Sequence, residues 1–377
     1  MRENNIGGGL KAVVVVPLAA MVLVEGCIIV LTIMASSGMA RGMSPFVFVV
    51  YTNALGSILL FPYSYFYDRR DQDHHYNRSE DQPIFFSLHF LLRVFLLGLL
   101  GCRVTIAQNL AFVGLSYSSP IVACGMANQI PALSFILAIF LRKTKFDWKK
   151  GSSQARLIGT LISLTGAISL TLYKGPSIKN HTALGSTTTA RLLLTFSSTH
   201  ENWLLGCLLF ASASFVLCIW NIVQVGTLKM CPKVMKIISF YTLFGTIQSA
   251  VLALFMERDL DAWRLGLNFE LLIIILTAIF SSVIRSSVQI WCTRMRGPYF
   301  VPIFKPFGIP YASTFGCLLF ADTFHYGSMM GAFICGVGYY TVLWGQIKEE
   351  ELQKLESGKI SSTDEKVPLL QDQHSQV

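Results

Sequence analysis

Ten separate stretches of the chain are apolar over about the length that a helix needs to cross a membrane. The hydrocarbon core of a bilayer is about 30 Å thick and each helical residue advances about 1.5 Å, so about 20 residues are required. The predicted spans are residues 12–35, 46–67, 88–112, 119–141, 156–173, 203–225, 237–256, 271–292, 299–320 and 327–345. This pattern predicts an all-α integral membrane protein with ten transmembrane helices.

The composition supports a membrane protein. The chain is 53% apolar and 14% charged, with a mean hydropathy of +0.55, whereas about a quarter of the residues in a soluble protein are charged. Its net charge of +9 comes from short basic clusters between apolar runs. Such clusters are typical of cytoplasmic loops, not of a nucleic-acid-binding surface. The expected surroundings are a lipid bilayer, with no nucleic acid partner.

The distribution of lysine and arginine predicts the orientation, because positive residues stay preferentially on the cytoplasmic side. With the N-terminus inside, the inner segments hold 20 of these residues and the outer segments hold six. Both termini are then cytosolic.

This orientation predicts glycosylation at Asn180 and not at Asn77. Both residues begin an N-x-Ser/Thr sequon, but only Asn180 lies in a segment predicted to be outside. Asn180→Gln should therefore abolish any glycan-dependent shift in gel mobility, and Asn77→Gln should leave it. The reverse pattern would overturn the orientation.

The loop at residues 174–202 divides the predicted spans five and five, with repeats at 12–173 and 203–345 and tails at 1–11 and 346–377. The second tail is expected to be disordered and cytosolic. Because five is odd, the second copy of a duplicated unit must insert upside down. A weak internal repeat supports duplication, since the seven-residue spacing of Gly159 and Gly166 recurs at Gly331 and Gly338. The alternative is that these are ordinary helix-packing glycines. Between spans three and four, Gly114 and the residues 116–120 are expected to turn the chain.

Four charged residues fall inside predicted spans: Glu25, Arg103, Arg285 and Lys305. Each would cost about 3 kcal/mol at the centre of a lipid-facing helix, so these side chains should face a cavity or one another. A cation such as Lys305 or Arg285 suits the carboxylate of a solute, and Glu25 suits an ammonium. The alternative is an internal ion pair of Glu25 with Lys305 or Arg285 that only neutralises the interior.

Amides and prolines complete the candidate site. The amides are Asn109, Asn128, Gln129 and Gln289, which must be hydrogen-bonded in a dry interior, either to a solute or between helices. Pro131, Pro302 and Pro306 lie within spans four and nine. A proline inside a helix frees a carbonyl and permits a kink, so these three are candidate gating residues. Proline is also common in membrane helices generally.

Signatures of enzymes, cofactors and metal sites do not occur. The sequence has no H-E-x-x-H, no G-x-S-x-G and no phosphate-binding glycine–lysine loop. Its nine cysteines include no C-x-x-C pair, so we expect neither a structural zinc nor catalytic residues. Three classes remain to compare, namely a transporter, a membrane enzyme, and a receptor or scaffold without transport. The intramembrane charges and five-plus-five division favour the transporter, and the short loops disfavour the receptor.

Several motifs together resemble one plant family. They are Gly42 to Tyr51, Gln108-Asn109, Phe244 to Ser249, Glu257 to Asp259 with Ala262-Trp263, Arg296 to Pro298 and Val342 to Gly345. They resemble the Walls Are Thin-related family, in the EamA-domain branch of the drug/metabolite transporter superfamily. The resemblance implies two inverted five-helix repeats around a central cavity, and movement of amino acids or related metabolites such as auxin. Glu25 and the Phe304-Lys305-Pro306 triplet also look like family positions, whereas Arg103 and Arg285 depart from the family.

The C-terminal tail contains an acidic dileucine pattern of Glu365, Leu369 and Leu370. Sorting adaptors read such patterns as an address toward the vacuolar membrane. The alternative is a frayed polar tail without a signal. The expected location is therefore the plasma membrane or the vacuolar membrane.

Overall fold

The computed structural model describes residues 3–74, 88–100, 105–141, 148–172, 177–178, 202–230, 234–266, 268–319 and 324–364. Most of these residues are helical, as the apolar runs predict. The α-helices are α1 (Glu3–Ala40), α2 (Pro45–His74), α3 (Leu88–Leu100), α4 (Ile106–Tyr117), α5 (Pro120–Ala127), α6 (Ile130–Phe140), α7 (Gly151–Leu172), α8 (Trp203–Met230), α9 (Val234–Met256), α10 (Phe269–Ile279), α11 (Arg285–Arg296), α12 (Phe300–Ile303), α13 (Gly308–Leu319) and α14 (Tyr326–Asp364). Within the described part, β structure is limited to a two-residue antiparallel pair, β1 (Ser177–Ile178) with β2 (Phe324–His325).

Seven helical segments are long and apolar enough to cross a membrane. They are Val15–Ala40, Pro45–Phe66, Pro120–Phe140, Gly151–Leu172, Trp203–Gln224, Val234–Met256 and Phe269–Arg296. Each coincides with a predicted span. The predicted spans at 88–112 and 299–320 each contain more than one helix. In the predicted span at 327–345, glycine and tyrosine lower the mean hydropathy. The count of ten spans therefore stays a prediction.

The structure corrects three predicted boundaries. Helix α1 already begins at Glu3, so most of the expected tail at 1–11 is helical. Helix α14 continues to Asp364, into the tail expected to be disordered, because residues 346–356 are rich in the strong helix formers Glu, Gln, Lys and Leu. Gly114 lies inside α4 and does not turn the chain. The turn falls within the predicted residues 116–120, after Tyr117 and before Pro120 begins α5.

Helices α7 and α14 pack antiparallel along a row of small residues. A Cβ atom added to a glycine of this row would lie 2.6–2.9 Å from a backbone nitrogen of the opposite helix. The four contacts are Gly159 with Val342, Gly166 with Cys335, Gly331 with Leu170 and Gly338 with Ser163. The two backbones approach this closely only because no side chain separates them. We call this row the glycine seam.

Gly338→Ala should destabilise the protein by about 1–3 kcal/mol, because the added methyl group meets backbone atoms that cannot turn aside. A Cβ at Gly338 would lie 2.6 Å from the Ser163 nitrogen. The thermal midpoint of the purified full chain measures this effect. Gly151→Ala, at the first residue of α7, is the matched control because nothing lies within 4 Å of a Cβ there. Equal midpoints for the two variants would contradict the close packing.

The helices form a bundle with three buried apolar clusters. The largest cluster joins α1, α2, α4, α5, α7, α8, α10, α13 and α14. The second joins α2, α3 and α9, and the third joins Met21 of α1 to Cys292 of α11 and to Phe304. The third cluster brings α1 against the interrupted helix α12–α13, where Lys305 lies.

Candidate functional site

Lys305 lies where a helix is interrupted. Helix α12 ends at Ile303, residues Lys305–Phe307 form a 3₁₀ turn, and α13 begins at Gly308. Pro306 has no N–H group, so it cannot donate the helical hydrogen bond to the carbonyl of Pro302. The break expected from Pro302 and Pro306 is therefore present, while a gating role stays a prediction.

Two tyrosines of α14 donate hydrogen bonds to the carbonyl groups at this break. The Tyr339 hydroxyl donates to Pro302 O at 2.8 Å, and the Tyr340 hydroxyl donates to Ile303 O at 3.0 Å. Buried backbone carbonyls are seldom left unpaired. Helix α14 thus pairs the carbonyls at the end of α12.

Lys305 forms an ion pair with Glu25 of α1. The distance between Lys305 Nζ and Glu25 Oε1 is 2.8 Å. The Glu25 side chain is 4% exposed and the Lys305 side chain is 34% exposed. Pairing offsets the free-energy cost of burying each charge. Of the two partners that the sequence allowed for Glu25, the structure pairs it with Lys305.

The surroundings of this ion pair are largely apolar and aromatic. A Cβ at Gly26 would touch the ring of Tyr311, which stacks on Phe315 with ring centroids 5.9 Å apart. A Cβ at Gly308 would lie 3.4 Å from the sulfur of Cys124 on α5. A low dielectric strengthens electrostatic interactions. A partly exposed ammonium in such a place can bind a carboxylate through a charge-assisted hydrogen bond.

A second helix break lies close to the first. Helix α5 ends at Ala127 and α6 begins at Ile130, with Asn128 and Gln129 between them. Pro131 is the second residue of α6. Asn128 follows Cys124 by one helical turn, and Cys124 is the neighbour of Gly308 at the first break.

Gln129 connects the second break to the glycine seam. Its Nε2 atom donates to Ser163 O at 2.8 Å and lies 3.0 Å from the sulfur of Cys335. Cys335 precedes Tyr339 by one turn of α14, so α14 contacts both breaks.

Three of the predicted amides keep a buried atom without a hydrogen-bond partner among the described residues. These atoms are Asn109 Oδ1, Asn128 Nδ2 and Gln129 Oε1, and their residues are 2–4% exposed. Asn109 Nδ2 donates to the Thr105 carbonyl at 2.6 Å. Because buried polar atoms are normally paired, these three have capacity for a polar solute or water.

Arg285 lies at about the level of Glu25 along α1, but Glu25 forms its ion pair with Lys305. Arg285 begins α11 directly after a π-helical segment, Phe280–Ile284. Cys292 Sγ lies 3.9 Å from the Pro17 carbonyl. Arg285 is about two turns before Cys292 and Glu25 is about two turns after Pro17, so the two residues lie at similar levels of the antiparallel helices α11 and α1. Arg285 Nε is buried and has no hydrogen-bond partner in the described part of the chain. Gln289 lies one turn further along α11 and is half-buried.

Several predicted residues cannot be placed. Arg103, Asn180, Glu365, Leu369 and Leu370 lie outside the described residues. Within the described ranges no group of three His, Cys, Asp or Glu side chains could hold a metal ion.

The residues that sequence reasoning missed are hydroxyl groups that pair with backbone carbonyls. Besides Tyr339 and Tyr340, Thr105 places its Oγ1 atom 3.3 Å from Gly98 O and 3.2 Å from Gly245 O, joining the start of α4 to α3 and α9. A usable signal existed for the tyrosines. A tyrosine hydroxyl in an apolar span requires an acceptor, and the prolines of span nine remove amide donors from its carbonyls.

Comparison with known proteins agrees with the helical architecture. Residues 17–172 match the EamA-like transporter family. A WAT1-related protein of Arabidopsis thaliana is 51% identical over 339 residues, which cover 89% of this chain and 88% of the relative. A second is 46% identical over 365 residues, covering 94% and 95%. Protein WALLS ARE THIN 1 of the same plant is 31% identical over 338 residues, covering 88% and 84%.

These similarities extend over nearly the whole chain and include the segment that carries Glu25 and both helix breaks. The resemblance seen in the sequence motifs is confirmed. Taken with the seven apolar helices, they show that this multi-pass membrane protein belongs to the WAT1-related family.

Proposed function

We propose that this protein is a secondary transporter that moves small organic solutes, amino acids or related metabolites such as auxin, by alternating access of a central polar cavity. The observation that carries the proposal is the Glu25–Lys305 pair at a helix break. The carboxylate is buried and the ammonium is partly exposed. A charge pair of this kind inside apolar spans marks a substrate pathway in membrane proteins.

In the proposed mechanism a solute carboxylate replaces Glu25 on Lys305. Glu25 then becomes available to the ammonium group of an amino acid. The unpaired atoms of Asn109, Asn128 and Gln129 supply neutral hydrogen bonds, which a dry interior requires for every polar group of the solute. The helix breaks at Pro131 and Pro306 allow the two halves of each helix to move separately, which opens the cavity to one side at a time.

The proposal includes ten spans in two inverted repeats, 12–173 and 203–345. Exchanging each helix with its counterpart in the other repeat maps α1·α13 onto α8·α6, α2·α10 onto α9·α3, and α1·α10 onto α8·α3. All six of these helix pairs are packed together. Packing that is preserved under this exchange supports a pseudo-twofold relation between the halves.

Residue contacts in the glycine seam also support a pseudo-twofold relation between the two halves. If Gly159 corresponds to Gly331 and Gly166 to Gly338, the contact of Gly159 with Val342 maps onto that of Gly331 with Leu170. The contact of Gly166 with Cys335 likewise maps onto that of Gly338 with Ser163. Both repeats also break in their fourth span, at Gln129 and at Lys305.

The proposed orientation has both termini in the cytosol, on the basis of the 20 inner and six outer positive residues. The protein would then lie in the plasma membrane or the vacuolar membrane. A sorting adaptor that reads Glu365, Leu369 and Leu370 would be its cytosolic partner.

Uptake of radiolabelled solutes by oocytes that express the chain tests the proposal. The panel contains amino acids of each charge class and auxin, and water-injected oocytes give the background. Uptake of at least one solute above background, saturating with concentration, is the expected result. Uptake equal to background for the whole panel, with the protein present at the surface, would favour a receptor or scaffold without transport.

A further inference from the structure

We infer that Tyr339 and Tyr340 are positioning residues of the Lys305 site, which keep the lysine's helix broken so that its ammonium meets Glu25. Both lie on α14 and neither touches the charged groups through its hydroxyl, since the hydroxyls bond to Pro302 O and Ile303 O. This inference depends on the proposed function only for its transport measurement.

The hydrogen bonds of the break show why the tyrosines matter. The Pro302 carbonyl cannot accept the usual hydrogen bond from the amide four residues later, because Pro306 lacks an N–H group. The Phe304 amide is directed at this carbonyl, but its hydrogen bond of 3.2 Å goes to Val301 O. The Ile303 carbonyl lacks its usual donor for another reason, since the Phe307 amide bonds to Phe304 O at 3.1 Å instead. The tyrosine hydroxyls replace the missing amide donors at both carbonyls. The 3₁₀ turn at Lys305 therefore leaves neither carbonyl unpaired.

Loss of a hydroxyl would change the balance between two local conformations. Without the Tyr340 hydroxyl as donor, a hydrogen bond from the Phe307 amide to Ile303 O becomes more favourable, because it pairs that carbonyl. This hydrogen bond would convert the 3₁₀ turn toward α-helix. A 3₁₀ turn has 3.0 residues per turn and a rise of about 2.0 Å, against 3.6 residues and about 1.5 Å for an α-helix. This conversion rotates and shifts Lys305 relative to α1, and thereby lengthens its contact with Glu25.

Helix α14 is held in place by its contacts with α7, so its tyrosines have a fixed position relative to the break. The glycine seam holds it against α7 along four backbone contacts. Beyond the seam, Glu349 pairs with Arg156 of α7. Helix α14 is therefore fixed against α7, and its tyrosines bond to the last residues of α12. The position of Lys305 follows the position of α14.

The Michaelis constant for uptake tests the positioning role. Tyr339→Phe and Tyr340→Phe should each raise the KM for radiolabelled glutamine or auxin about fivefold, the factor that one lost neutral hydrogen bond represents. Tyr51→Phe is the matched control. The Tyr51 hydroxyl also donates to a backbone carbonyl, that of Trp263 at 2.9 Å, but it joins α2 to the segment after α9 and bonds to no residue of the break. Its KM should equal that of the wild type, and an equal rise in all three variants would overturn the inference.

A thermal cycle tests the hydrogen bond itself without any transport. Tyr339→Phe should lower the thermal midpoint of the purified full chain by about 1–2 °C. Pro306→Ala restores an N–H group that can donate to Pro302 O, so adding Tyr339→Phe to this variant should lower the midpoint no further. An undiminished loss in the Pro306→Ala background contradicts the inference. If the wild type carries neither solute, the proposed function fails for them, while this cycle still decides the role of Tyr339.

Discussion

Lys305→Met should lower uptake per transporter by about tenfold or more at low solute concentration. Methionine keeps most of the bulk of lysine and removes its charge, so the helix break at Pro306 is retained. A hydrogen bond to a charged group contributes about 1.5–3 kcal/mol, and each 1.4 kcal/mol is a factor of ten in affinity. The measurement is initial uptake divided by the number of molecules at the membrane, determined by surface labelling.

Lys354→Met is the control for this prediction. Lys354 is an exposed lysine on the part of α14 beyond the glycine seam, so removal of its charge should leave uptake unchanged. Glu25→Gln should weaken uptake separately, because a neutral amide replaces the carboxylate that would bind the ammonium group of the solute. Equal uptake per molecule in the Lys305→Met and Lys354→Met variants would show that Lys305 does not bind solute.

Arg156→Met should destabilise the folded protein by about 3 kcal/mol. The Arg156 guanidinium pairs with Glu349 and lies 4.2 Å from the centroid of the Phe135 ring, so the change removes an ion pair and a stacking contact. Removal of one partner of a buried pair costs about 3–5 kcal/mol. The lower end applies because the side chains are 9% and 20% exposed and Glu349 keeps some contact with water. The thermal midpoint of the purified chain is the measurement.

The chain offers a matched exposed pair for comparison. Arg264 and Asp261 are 3.1 Å apart, with side chains 84% and 77% exposed. Exposed ion pairs contribute little because water and salt screen them. Arg264→Met should therefore leave the midpoint close to that of the wild type. A similar loss in both arginine variants would show that burial at the end of the glycine seam is not what makes Arg156 important.

Sequence patterns predicted the helices well where one physical requirement dominated. Long apolar runs must be helical in a membrane, because every backbone group needs an internal partner. The same reasoning predicted that Lys305 faces a cavity or another charge, and the structure pairs it with Glu25. It also predicted a helix break at Pro306, which is present. The glycine spacing in spans five and ten indicated close packing, and these glycines form the seam.

Other features depend on how distant segments meet, which local patterns do not specify. The choice of Lys305 over Arg285 as the partner of Glu25 depends on the packing of α1 against the 3₁₀ turn. The tyrosine donors of α14 have no periodic signal. The continuation of α14 past residue 346 was missed because hydropathy identifies the membrane part of a helix and not its soluble end.

The double variant Glu25→Gln with Lys305→Met tests the central claim most directly. Each single change leaves one charge buried without its partner, so each lowers protein abundance, and the double variant removes both charges and should restore abundance. The quantity to measure is solute flux per molecule at the membrane. If the pair binds the transported solute, flux in the double variant stays at least about tenfold below the wild type although abundance recovers. Wild-type flux in the double variant would contradict the account, since Glu25 and Lys305 would then only neutralise each other inside the fold.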